Sequence, residues 1–166
     1  RQNTRFLVER LRTHGITMIG VTKAVCGHPG VAQEMLDGGA VGLADARVAN
    51  VRRMRDAGLT CPISMIRGPL QSETKDVVQC CDSSYNTEID TIQGLAAAAH
   101  KMGKAHDVLL MVEMGDMREG ILPENLTAFA SRVIATPGVA LKGIAANFAC
   151  LGDVAPTPDD MTLLSR

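Results

Sequence analysis

Few side chains in this sequence combine reactive chemistry with a place at the end of an apolar run. Lys23 closes the run Ile16-Thr17-Met18-Ile19-Gly20-Val21 and opens a loop punctuated by Gly27 and Pro29. An apolar run stopped by Gly and Pro reads as a buried strand leaving a sheet. Parallel α/β folds place their chemistry at the carboxyl ends of such strands. A lysine there can pair with a carboxylate, bind a phosphate, or attack a carbonyl as an amine nucleophile. Arg67 also follows an apolar run and precedes Gly68-Pro69; it can bind a carboxylate or phosphate, or form a structural pair with Asp45. Asp45 and Arg47 stand at another strand end and read as structural or supporting residues. Arg118 sits in the loop Gly115-Asp116-Met117-Arg118-Glu119-Gly120, where it can reach a ligand oxygen or pair with Asp116 or Glu119. Asn147 and Cys150 close the last apolar run, and Cys150 reads as a small buried hydrophobe. Cys26 and His28 flank the lysine loop, but a C-x-H pair lacks the further ligands a metal ion needs. His14, His100 and His106 read as surface residues.

The elements that position these groups alternate. Residues 3–14 read as an amphipathic helix with Phe6, Leu7 and Leu11 on one face. Strands are expected at 16–23, 41–45, 62–67, 82–86, 108–114 and 140–148. Between them, helices are expected to start at Pro29 and stop at Gly38-Gly39, to span 47–57, to run from Ser72 to Cys80, to extend from Thr87 to near Gly103, and to open at Pro123. Thr157 with Asp159 and Asp160 reads as the cap of a further short helix. This alternation predicts a parallel sheet with right-handed crossovers. No G-x-G-x-x-G follows the first strand, so a dinucleotide-binding fold has no support. The expected class is α/β, a parallel (β/α)8 barrel made incomplete by having six strands, with a six-strand open sheet as the competing arrangement. The expectation is therefore one partial barrel over residues 1–166, with the rest of the protein outside this chain; a first residue of Arg1 rather than Met points the same way.

Composition excludes several classes. The net charge is −1 and aromatics make up 2% of the chain, which argues against a nucleic-acid surface or an anionic membrane as partner. No apolar run is long enough to span a bilayer. The five cysteines are odd in number and lack a C-x-x-C pair, which suits reduced thiols in a cytoplasmic protein.

The stretch Gly20–Pro29, together with Ala44-Asp45-Ala46-Arg47, Arg67-Gly68-Pro69, the Gly115–Gly120 loop and Asn147-Phe148-Ala149-Cys150, resembles the N-terminal barrel of the alanine racemase-like enzymes. These are fold-type III pyridoxal phosphate proteins, and within them the likeness is to the ornithine racemase type. Asn3-Thr4-Arg5 resembles the family's first helix. The resemblance implies that Lys23 forms the internal aldimine with pyridoxal 5'-phosphate and acts as acid/base on one face of Cα. It implies that Arg118 contacts the cofactor's phenolic oxygen or its surroundings, and that Asn147 lies against the ring where alanine racemases carry a histidine. Arg67 becomes a further candidate for the cofactor. Met111 stands where many alanine racemases have a lysine that orients the arginine, and its own reading is core packing. These two departures shift the expected substrate from alanine toward an ornithine-type amino acid.

The resemblance further implies a homodimer acting on a small amino acid, with the opposite-face base and the phosphate loop outside these residues. Tyr85 does not match that base. The 166 residues alone are expected to have little racemase activity. Two alternatives stay open. One is a cofactor-binding homeostasis protein without catalysis, and the other is a D-amino-acid lyase of the same superfamily.

Overall fold

The computed structural model describes residues 1–148 and 155–165. The chain divides into two compact units, Arg1–Ser84 and Tyr85–Arg166.

The first unit begins with α1 (Gln2–Arg12), followed by β1 (Ile19–Val21), α2 (Pro29–Asp37), β2 (Gly42–Asp45), α3 (Val48–Asp56), β3 (Ile63–Met65), α4 (Thr74–Cys80) and the start of β4 (Ser83–Asn86). The strands pair in parallel and in chain order: Val21 lies opposite Ala44, Asp45 opposite Met65, and Met65 opposite Ser84. Such a ladder requires a helical crossover between each pair, which the alternating sequence supplies. β2 is buried at every position, as expected of a strand covered on both faces. Leu43, Val51, Met54, Ile63, Val77 and Val78 are fully enclosed and form the core of this unit. Each contributes on the order of 1.5–3 kcal/mol by leaving water.

Two sequence expectations shift here. The strand expected over 16–23 is a ladder of Ile19–Val21 only. The chain turns directly after it, because the Thr22 carbonyl accepts from Val25 N at 3.0 Å and Gly27 N at 3.1 Å and so closes a tight turn. The apolar face expected on α1 is also displaced. Phe6 and Leu7 are 63% and 46% exposed. The residues that approach α2 are Thr4 and Val8, one helical turn apart, which lie against Gly38 and Gly39.

Cys81 ends α4 inside this core. Burial, with Cys80 beside it, pushes its thiol up to about 12. An unfolded thiol ionises near about 8.5. The folded chain therefore retains a proton that the unfolded chain loses, and stability should fall as pH rises from there toward about 12. Cys26, in contrast, is exposed. Alkylation of the native protein at about pH 8 should label Cys26 and leave Cys81 unmodified until denaturant is added. Peptide mapping before and after unfolding checks this, and rapid native labelling of Cys81 would contradict its burial.

The second unit contains α5 (Ile89–Lys101), β5 (His106–Val112), α6 (Pro123–Ile134), β6 (Val139–Ala146) and α7 (Pro158–Leu164). β5 and β6 are parallel, from His106 opposite Val139 to Val112 opposite Ala146, with an irregularity between Val108 and Leu109. β5 starts two residues earlier than the apolar run suggested. His106 is consequently 1% exposed, which corrects its reading as a surface residue. Ile92, Leu95, Ala99, Val108, Leu110 and Val133 are enclosed in this unit, and Met111 is buried, in keeping with core packing. The expected cap of the last helix is present: Thr157 Oγ1 accepts from Asp160 N, while Asp160 accepts from Thr157 N at 2.8 Å. Cys150 lies outside the described residues.

Candidate functional site

Lys23 is the first residue of the 3-10 turn Lys23–Val25 that follows β1. The turn is fastened on two sides. Thr22, fully buried, donates its backbone N–H to Ala44 O at 2.9 Å and its hydroxyl to Asp45 Oδ2 at 2.7 Å. On the far side Cys26 and Gly27 both have positive φ, 52° and 63°. At Gly27 the glycine is required by contact as well as by conformation, since a Cβ there would lie 2.7 Å from Asn50 O. The turn thus rests directly on the first turn of α3, and Arg53 Nη1 adds a bond to Cys26 O at 3.0 Å.

Asp45 is the centre of this arrangement. It has no solvent exposure, and its two oxygens accept four bonds. Oδ2 takes the Thr22 hydroxyl; Oδ1 takes Ala46 N at 2.7 Å, Arg47 N at 3.0 Å and Asn50 Nδ2 at 2.9 Å. A carboxylate removed from water requires such partners. The structural role expected of Asp45 is present, but not as a pair with Arg67: among the described residues no Arg67–Asp45 ion pair forms. Thr22 and Asn50 escaped the sequence reading, and Gly27 was read only as loop punctuation. A polar residue beside Lys23 and an Asn in the first turn of a helix were the only signals, and neither is distinctive without their shared contact with Asp45.

Lys23, Cys26, Ala46, Arg47, Asn50 and Arg67 line one cavity of about 260 Å³. Lys23 and Arg67, picked separately from the sequence, are therefore brought together. Among the described residues the Lys23 amine has neither ion pair nor hydrogen bond, whereas Lys142 lies 3.6 Å from Asp107. A free amine beside two guanidiniums fits a ligand that carries both an aldehyde and an acidic group, which is the donor chemistry pyridoxal phosphate needs.

Arg118 and Asn147 belong to the second unit, where they share Asp116 as a partner. Asn147 Nδ2 donates to Asp116 Oδ2 at 2.7 Å, and Arg118 Nε lies 3.7 Å from the same oxygen. Arg118 also bonds Glu119 at 2.9 Å, so the ion-pair arrangement weighed from sequence is realised on both sides. The loop's shape comes from Glu113, whose carboxylate accepts Gly115 N at 2.6 Å and Met117 N at 3.0 Å. Its return is held by Glu113 N to Ile121 O at 2.9 Å. Among the described residues no three His, Cys, Asp or Glu side chains gather as a metal-ion site.

The chain is similar to known proteins. The family model of the alanine racemase N-terminal domain matches residues 1–165. The chain is 32% identical over 165 residues to an ornithine racemase of Acetoanaerobium sticklandii, covering 99% of this chain and 46% of that protein. It is 29% identical over 163 residues to a lysine racemase of Thermotoga maritima, covering 98% and 45%. Among solved structures, an alanine racemase of Clostridium difficile 630 superposes with a TM-score of 0.82 at 22% identity, covering 98% of this chain and 46% of that one. The chain thus spans about half the length of the curated relatives it matches. The likeness decides between the barrel and the open sheet: the described residues form six strands of a parallel α/β barrel of the alanine racemase type. The chain belongs to the alanine racemase N-terminal domain family.

Proposed function

We propose that this chain is the lysine-bearing part of a pyridoxal phosphate-dependent racemase of a free amino acid, with an ornithine-type substrate preferred over alanine. The observation that carries the reading is the unpaired Lys23 amine, at the carboxyl end of β1 and within a cation-lined cavity, in a chain of this family. When bound, pyridoxal phosphate supplies an aldehyde for attachment and a ring that withdraws the electrons left at Cα. Lys23 holds the cofactor and then takes or returns a proton on one face of Cα. Arg118 offers a permanently charged donor to the cofactor's phenolic oxygen, steadied by Asp116 and Glu119. Asn147, tethered to Asp116, takes the place beside the ring. Arg67 meets an acidic group.

The substrate assignment rests on Met111 and Asn147, which depart from the alanine racemase pattern, and on relatives named for ornithine and lysine. The free thiols of Cys26, Cys61, Cys80 and Cys81 support a reducing, cytoplasmic setting. A homodimer rests on the family resemblance alone. The test is enantiomer-resolved chromatography of L-ornithine, L-lysine and L-alanine after incubation with protein and cofactor. The complete gene product should convert ornithine or lysine faster than alanine. The 166 residues alone should convert little of any. Preference for alanine, or conversion by the complete product that does not depend on the cofactor, would overturn the reading.

A further inference from the structure

We propose that Arg47 and Arg67 form an oxyanion subsite beside Lys23, so that Arg47, read from sequence as a structural residue, binds ligand. The inference uses the proposed function only for the identity of the oxyanion's carrier. Its first support is topological. Lys23, Arg47 and Arg67 each lie two residues beyond the end of one of three consecutive parallel strands, β1, β2 and β3. The register continues past the strand ends, because Thr22 N bonds Ala44 O at 2.9 Å and Ile66 N bonds Asp45 O at 3.0 Å. Three cations from adjacent strand ends therefore open onto the same small cavity.

The second support is the absence of neutralisation. Neither guanidinium has an ion pair or hydrogen bond among the described residues, and no carboxylate lines the cavity. The three arginines of α3 behave differently. Arg52 pairs with Asp76, Arg53 donates to Cys26 O, and Arg55 donates to Cys80 O, Leu59 O, Cys61 O and Asp82. Asp45 is the nearby acid that could have balanced the charge, and it is sealed by its four donors. Like charges around one cavity repel, and an entering anion removes that repulsion. Two guanidinium forks suit a carboxylate or phosphate better than a point charge does. Two carriers have this chemistry, the cofactor's phosphate and the substrate's α-carboxylate.

The first arm of the test titrates cofactor-free protein with inorganic phosphate, read by calorimetry. Arg47→Gln and Arg67→Gln should each weaken binding about tenfold or more. Arg67→Lys should recover part of the loss by restoring charge without the fork. Both arginines are exposed, so the variants should keep the wild-type circular dichroism. The second arm compares pyridoxal phosphate with pyridoxal; selective weakening of the phosphorylated form identifies the cofactor as the carrier. The third compares ornithine with its amide on the loaded protein; selective weakening of the free acid identifies the substrate. Equal phosphate affinity in wild type and both variants overturns the proposal. An effect on phosphate with none in the other two arms marks an adventitious ion only and overturns it as well. If Lys23 proves not to bond the cofactor, the proposed function fails while the phosphate arm still decides this subsite.

Discussion

Replacing Lys23 with alanine should abolish covalent retention of pyridoxal phosphate. Wild-type protein loaded with cofactor and reduced with borohydride should carry the label on the peptide containing Lys23, and the variant should carry background label. Lys23 is singled out by position. It is exposed at a strand end, lines the 260 Å³ cavity, and has no partner among the described residues, whereas Lys142 is matched to Asp107. Lys23→Arg separates charge from chemistry. The guanidinium keeps the positive charge but stays protonated and cannot exchange a carbon–nitrogen bond, so it should fail in the labelling assay as alanine does. Turnover of the complete gene product should fall by about 10²–10⁴-fold through loss of proton transfer alone. Undiminished labelling of Lys23→Ala at another lysine, with turnover retained, would remove Lys23 from the chemistry.

The second large effect is expected at Asp45. Asp45→Ala leaves the buried Asn50 amide and the Ala46 and Arg47 N–H groups without their acceptor, and leaves the buried Thr22 hydroxyl only its longer contact with Ala44 O at 3.2 Å. A buried donor left without a partner costs roughly 1–3 kcal/mol. With two of the four donors on buried side chains, the loss should be about 2–5 kcal/mol. Asp45→Asn keeps the shape and one acceptor but turns an NH₂ toward a donor, so its loss should be smaller, about 1–3 kcal/mol. Urea titration gives the magnitude. Hydrogen exchange gives the location: Ala46, Arg47, Val25 and Gly27 amides should lose protection first, because the acceptor or the turn behind each depends on Asp45. Cofactor labelling should slow in parallel, since the Lys23 turn is anchored through Thr22. Wild-type stability in Asp45→Ala would show that the network carries little of the load assigned to it.

The readable and unreadable parts of the chain differ in kind. Pro29 at the first position of α2 and Pro123 at the start of α6 mark element starts by backbone restriction, and the structure has them where expected. Lys23, Arg67, Arg118 and Asn147 could be picked as candidates because each follows an apolar run or sits in a Gly-bounded loop. His106 was misread because its burial depends on a ladder partner, Val139, more than thirty residues away. Phe6 and Leu7 were misread because periodicity finds an apolar stripe without saying which side meets a neighbour.

The sequence by itself determined the alternation of strands and helices, the strand-end positions of the candidate groups and the resemblance to a cofactor family. All of these follow from local chemistry: hydrophobic period, glycine and proline restriction, and the reactivity of an amine. Tertiary structure alone decided that Asp45 joins Thr22, Arg47 and Asn50, that Gly27 must lie against α3, and that Lys23, Arg47 and Arg67 open onto one cavity. Those facts depend on the register of three parallel strands, and register is set by how distant apolar faces pack together.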